Sequence, residues 1–129
     1  MTPELTALAC AGLVQIVQFC LYSVAANLQV GTSTALGPRD TQVTLTGTAG
    51  RLQRALNNHF EGLILFTLAV VVVTLGEAST FFTQVCAWIY VAARIAYVPA
   101  YVSGIPGLRS GVWSVGMLAT TLILLAALL

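Results

Sequence analysis

The chain has 129 residues, of which 58% are hydrophobic and only 7% are charged, whereas about 25% of residues are charged in a soluble domain. Its formal net charge is +1, and it lacks the basic clusters that would suggest a nucleic-acid partner. This composition excludes an ordinary soluble domain and predicts a single integral membrane domain over residues 1–129.

The first predicted helix spans residues 3 to about 28, longer than the roughly 20 residues that a bilayer requires. Thr2-Pro3-Glu4 is a helix-start signal, with a capping hydroxyl, a proline at the first helical position and then an acid. Gln15, Gln18 and Asn27 interrupt its apolar run, and we expect them to form hydrogen bonds with neighbouring helices.

Three further helices are predicted, at about residues 47–76, 80–102 and 108–129. The stretch 29–50 is polar and rich in Gly and Thr, which indicates a loop outside the membrane that leads into the second helix. The other two connections are short. The predicted fold is an all-α integral membrane protein in which four transmembrane helices form an up-and-down bundle.

The second helix has a polar face near its start. Within roughly an 80° arc, at about 100° per residue, lie the side chains of Arg51, Arg54, Asn58 and Glu61. The apolar run behind them, residues 62–75, is too short to cross the bilayer alone, so these charged turns must enter the membrane with it. At that depth ionisable side chains face protein or a water-filled cavity, and this set suits a polar, anionic ligand.

The third helix carries Arg94, Tyr97 and Tyr101 on one face, at spacing i, i+3, i+7. Because the two helices are antiparallel, a rise of about 1.5 Å per residue brings Arg94 near the depth of Asn58 and Glu61. The tyrosines come nearer the arginines of the second helix. We therefore predict a pocket between these helices. The alternative is an Arg94–Glu61 ion pair that holds the bundle together, with the tyrosines as interface anchors.

The other reactive side chains predict no further site and no metal centre. Cys10, Cys20 and Cys86 lie in apolar runs without disulfide or metal-ligand spacing, so we interpret them as small hydrophobic residues. His59 lies about 100° around the helix from Asn58. We interpret it as a packing or hydrogen-bonding residue.

The distribution of charge predicts the orientation in the membrane. The basic side chains lie at or near the first and third loops, namely Arg39, Arg51, Arg54, Arg94 and Arg109. Glu4 and Glu77 lie at the other side. The positive-inside rule then places the first and third loops in the cytoplasm and both termini on the opposite side.

Two motifs carry a resemblance to a known family. Arg54-Ala55-x-x-Asn58-x-x-Glu61 on the second helix and Arg94-x-x-Tyr97-x-x-x-Tyr101 on the third resemble the MAPEG family, the membrane-associated proteins in eicosanoid and glutathione metabolism. Microsomal glutathione transferases, leukotriene C4 synthase and prostaglandin E synthase belong to it. The resemblance implies a MAPEG-like homotrimer that binds glutathione between adjacent subunits near the cytoplasmic face.

The resemblance also implies roles for individual residues. The matching positions that would contribute to the glutathione site are Arg51, Arg54, Asn58, Glu61, Arg94, Tyr97 and Tyr101. In catalytic members an arginine shortly after the third helix stabilises the glutathione thiolate, and Arg109 is the candidate here. The implied activity is that of a transferase or peroxidase, in which glutathione is the cosubstrate and the thiolate attacks a lipophilic small molecule dissolved in the membrane lipids.

Two other functions stay open. The family contains non-catalytic members, so the chain could be a lipid-binding or scaffold protein or an accessory subunit of a membrane complex, although Arg109 favours an enzyme. A small multidrug transporter also has four short helices. It would need an acidic residue in the membrane core of the first helix, and Glu4 lies too near the terminus.

Overall fold

The structure is a computed structural model that describes residues 1–31, 37 and 45–129. The described residues form four helices, α1 (Pro3–Val30), α2 (Gly47–Leu75), α3 (Phe81–Ser103) and α4 (Leu108–Leu128). Each is long and apolar enough to cross a membrane. The predicted four-helix membrane fold is confirmed, and the helix ends differ from the predicted ones by at most two residues. Arg39, which entered the orientation argument, lies outside the described residues.

Local capping signals mark where α1 and α3 begin. The Thr2 hydroxyl accepts a hydrogen bond from the Leu5 amide at 3.3 Å, which caps α1 as predicted. Thr80 and Thr83 form a reciprocal capping box at the start of α3. Thr46 precedes α2, but its side chain makes no capping hydrogen bond.

The core lies where α2 and α3 pack against each other and against the two outer helices. The rings of Phe66 and Tyr90 stack with their centroids 3.9 Å apart and an angle of 11° between the ring planes. Ala7 and Ala11 of α1, one turn apart, are fully buried in the same cluster. Small residues of this kind allow close approach of helix backbones, and such packing is what associates helices in a membrane.

Buried polar groups join the helices at two levels. His59 Nδ1 and Gln18 Oε1 share a hydrogen bond of 2.8 Å between α2 and α1. Gln18 thus bonds to a neighbouring helix as predicted, and His59 is the hydrogen-bonding residue that was predicted. At the opposite end of the bundle from Arg54, the buried Glu4 carboxylate accepts hydrogen bonds from Ser79 Oγ and Thr83 Oγ1. The prediction for Asn27 is wrong, because its amide donates within α1, to Ser23 O at 2.8 Å.

Candidate functional site

A polar cavity opens at the end of the bundle where α2 and α4 begin and α3 ends. It has a volume of about 320 Å³, and we call it the arginine cavity. Its walls consist of the side chains of Arg54, Asn58, Tyr97, Tyr101, Arg109, Ser110 and Trp113. A second space of about 420 Å³, the turn cavity, shares Arg54, Tyr101, Arg109 and Ser110 with it and is also lined by residues 104–107.

Arg54 and Tyr101 form one wall of both cavities. Arg54 Nε donates a hydrogen bond to Tyr101 Oη at 3.0 Å. The guanidinium carbon also lies 5.8 Å from the centroid of the tyrosine ring, within the range of cation–π contacts. Among the hydrogen bonds of the described residues, this one engages Arg54 through Nε–H and leaves the Nη1 and Nη2 donors of the exposed side chain for a ligand.

Arg51 holds the turn between α3 and α4. Its Nη1 donates to the carbonyl oxygen of Val102 at 3.0 Å, and a cation is favourable beside the last carbonyls of a helix. Gly104 adopts φ +72°, and a Cβ there would lie 3.3 Å from Arg51 Nη2. Glycine therefore meets both the backbone and the space requirement of this turn. Arg51 thus lines the turn cavity while one of its N–H groups is bound to protein.

Arg109 reaches the same place from the first turn of α4. Its guanidinium carbon lies 4.9 Å from the centroid of the Tyr101 ring, on which the charge is held by a cation–π contact. The side chain is exposed and lines both cavities. Tyr101 thereby contacts both Arg54 and Arg109, two cations from different helices.

Arg94 lies deeper than the other site arginines. It is 2% exposed, and its Nη2 donates to Asn58 Oδ1 at 3.1 Å. The guanidinium carbon lies 4.4 Å from the centroid of Tyr97, which in turn meets the Tyr101 ring edge to face at 5.7 Å. The matched depths predicted for the two helices are therefore correct. The partner of Arg94 is Asn58, however, and not the Glu61 carboxylate of the predicted alternative ion pair.

Glu61 lies beside the arginine cavity rather than in it. It is exposed, and it lines a small space of about 150 Å³ between α2 and α4. This space shares Asn58 and Trp113 with the arginine cavity. A ligand longer than the arginine cavity can thus reach from the arginines to a carboxylate along one wall.

The electrostatic character of the site follows from these contacts. The hydrogen-bond partners of Arg51, Arg54 and Arg94 are a carbonyl, a hydroxyl and an amide oxygen, so none of these contacts neutralises the positive charge. Guanidinium groups bind carboxylates through two parallel hydrogen bonds. Chemically, the site suits a flexible anionic molecule that also carries a cationic group for Glu61.

Two lining residues, Ser110 and Trp113, did not appear among the predicted site residues. Both belong to α4, which the sequence argument left out of the pocket except for Arg109. A signal existed, because Trp113 follows Arg109 by four residues and the two therefore share a helix face. Without a known orientation of α4, that face could equally have met lipid.

The family model described as the MAPEG family matches residues 5–129. Comparison with curated proteins gives no match.

Proposed function

Because the chain belongs to the MAPEG family, the membrane-associated proteins in eicosanoid and glutathione metabolism, we propose that it binds glutathione in the arginine cavity and activates its thiol toward a lipophilic electrophile. One observation carries this proposal. Arg54 and Arg109, from two different helices, both contact Tyr101 in the arginine cavity. Among the described residues, the groups that these arginines contact carry no charge.

The chemical groups of glutathione fit the side chains of the site. Its two carboxylates match the forked donors of Arg54 in the arginine cavity and of Arg51 in the adjoining turn cavity. Its ammonium group matches Glu61, which lies along the same wall. A guanidinium near a thiol lowers the pKa of that thiol, and the exposed guanidinium of Arg109 is available for this role.

When bound, glutathione supplies the nucleophilic sulfur. The residues of this chain bind and orient the tripeptide, and Arg109 holds negative charge on the sulfur. Trp113 and the apolar face of α4 adjoin the cavity, so an electrophile dissolved in the lipid can approach from between the helices.

The same proposal includes assembly and orientation. Glu61 is exposed on a membrane-spanning helix, where ionisable groups are expected to face protein or water. A homotrimer in which an adjacent subunit covers this face satisfies that requirement. Arg51, Arg54 and Arg109 lie at one end of the bundle, which supports cytoplasmic first and third loops and termini on the opposite side.

Isothermal titration of glutathione into the detergent-purified protein tests binding, and a conjugation assay with a chlorodinitrobenzene tests turnover. We expect Arg54→Ala and Glu61→Gln each to weaken binding about tenfold or more, the range for a lost charge-assisted hydrogen bond. Glu77→Gln is a matched control, because this carboxylate is exposed at the far end of the bundle.

Three results would change the proposal. Absence of glutathione binding to the wild type would reject it. Unchanged affinity in both Arg54→Ala and Glu61→Gln would remove these residues from the site. Binding without turnover of any electrophile would assign the chain to the non-catalytic branch, as a lipid-binding, scaffold or accessory protein.

A further inference from the structure

Arg94 lies behind the wall of the arginine cavity, and Asn58 lies in the wall. The Arg94 side chain is 2% exposed, whereas Asn58 is half-buried and lines both the arginine cavity and the small space beside Glu61. The hydrogen bond of 3.1 Å from Arg94 Nη2 to Asn58 Oδ1 connects the two side chains. A ligand in the cavity therefore meets Asn58 first.

The position of Arg94 is fixed from three sides. A Cβ added to Gly62 of α2 would lie 3.9 Å from Arg94 Nη1, and one added to Gly116 of α4 would lie 3.7 Å from Arg94 Cδ. On the third side is the ring of Tyr97, 4.4 Å from the guanidinium carbon. Arg94 is thus enclosed by α2, by α4 and by the Tyr97 ring, which accounts for its low exposure.

The chemistry of the contact determines how the Asn58 amide is oriented. An asparagine amide has one acceptor oxygen and one NH₂ donor, while a guanidinium has donors only. Asn58 must therefore turn Oδ1 to Arg94, which directs Nδ2 away from it. Among the described side chains, Asn58 takes part in one hydrogen bond, with Arg94. This bond uses Oδ1 and leaves both N–H groups of Nδ2 for a ligand.

The charge of Arg94 strengthens this arrangement. A hydrogen bond to a cation polarises the amide, and chains of hydrogen bonds reinforce one another in a low-dielectric interior. A buried guanidinium bonded to a neutral amide is also poorly compensated, so negative charge on the other side of that amide is favourable.

We propose that Arg94 is a positioning residue that acts on the ligand through Asn58. It fixes the Asn58 amide with its N–H donors toward the cavity, so that this part of the site selects hydrogen-bond acceptors such as a carboxylate or a peptide carbonyl. The proposal rests on the proposed function, since glutathione supplies acceptors of both kinds. It differs from direct binding by Arg94, which the sequence motif had suggested.

A double-mutant cycle separates this role from a purely structural one. We expect Arg94→Met and Asn58→Leu each to weaken glutathione binding about tenfold, the effect of a lost hydrogen bond to a charged group. If Arg94 acts through Asn58, the double variant should bind no more weakly than Asn58→Leu alone. Additive losses, or an unchanged affinity in Arg94→Met, would overturn the inference.

Asn58→Asp provides a second test with an outcome that a structural role does not predict. The new carboxylate still accepts from Arg94, and the resulting charge pair should raise the melting temperature. It presents an acceptor in place of donors to the cavity, so glutathione binding should fall further than in Asn58→Leu. A more stable protein with retained affinity would contradict the inference, and this test does not depend on the folding of Arg94→Met.

Tyr90→Phe is the matched control. Tyr90 lies one turn before Arg94 on α3, and its buried hydroxyl has no hydrogen-bond partner among the described residues. The affinity of the Tyr90→Phe variant for glutathione should equal that of the wild type. If the wild type does not bind glutathione, the proposed function fails and this role fails with it. If the wild type binds but the cycle is additive, only the inference about Arg94 fails.

Discussion

Replacing Arg109 with alanine should reduce turnover much more than it reduces glutathione affinity. The Arg109 guanidinium lies over the Tyr101 ring at 4.9 Å, at the junction of the arginine and turn cavities. Arg51 and Arg54 line the same space and remain in the variant to bind the carboxylates. The loss should therefore fall on the sulfur, which is the group that Arg109 is proposed to stabilise.

The size of the effect follows from the fraction of thiolate. A thiol with a pKa of about 8.5 is about 3% ionised at pH 7. Lowering that pKa by about one unit raises the thiolate fraction to about 24%. We take about 8.5 as the thiol pKa in the variant and about one unit as the share of Arg109. Arg109→Ala should then lower kcat about eightfold at pH 7.

The assay is the pH dependence of conjugation. A lowered thiol pKa means that the wild type reaches full thiolate at lower pH, so its rate should level off about one unit below that of Arg109→Ala. The variant should regain activity as the pH rises. Arg109→Lys should recover part of the activity, since a point charge suffices for a thiolate. Identical pH profiles for the wild type and Arg109→Ala would refute the reasoning, as would full activity of the variant at pH 7.

Three further outcomes are expected. Glu4→Leu should cost about 2 kcal/mol of stability, because the hydroxyls of Ser79 and Thr83 lose their buried acceptor; an unchanged melting temperature in detergent would contradict this. Phe66→Ala, at a fully buried position, should cost about 3 kcal/mol or more. Phe60→Ala, 57% exposed, should cost much less, and equal losses would count against the described core. Reporter fusions should locate both termini outside the cytoplasm, and a cytoplasmic C-terminus would reject the proposed orientation.

Much of the architecture was predictable because it depends on properties of single helices. Apolar length against bilayer thickness fixed the number of spans, and the Thr2 capping signal located the start of the first helix. Rise per residue along antiparallel helices also matched the depths of Arg94 with Asn58 and of Arg54 with Tyr101. These inferences need no knowledge of how one helix is rotated against another.

The family resemblance extended this reach to the site, because its motifs mark residues that share one helix face. Periodicity alone would have grouped the same residues, but it could not have distinguished residues that line the cavity from residues buried behind them. Periodicity predicted the same role for Arg54 and Arg94, although Arg54 is exposed and Arg94 is 2% exposed.

By itself, then, the sequence determined the four spans, their polar faces and the family. Only the tertiary structure decided that Arg94 stands behind Asn58, that α4 brings Trp113 to the cavity, and that Glu4 is buried against Ser79 and Thr83. The physical reason is that helical periodicity fixes the angle between side chains on one helix. It leaves free the rotation of each helix about its axis, and the packing of all four helices sets that rotation.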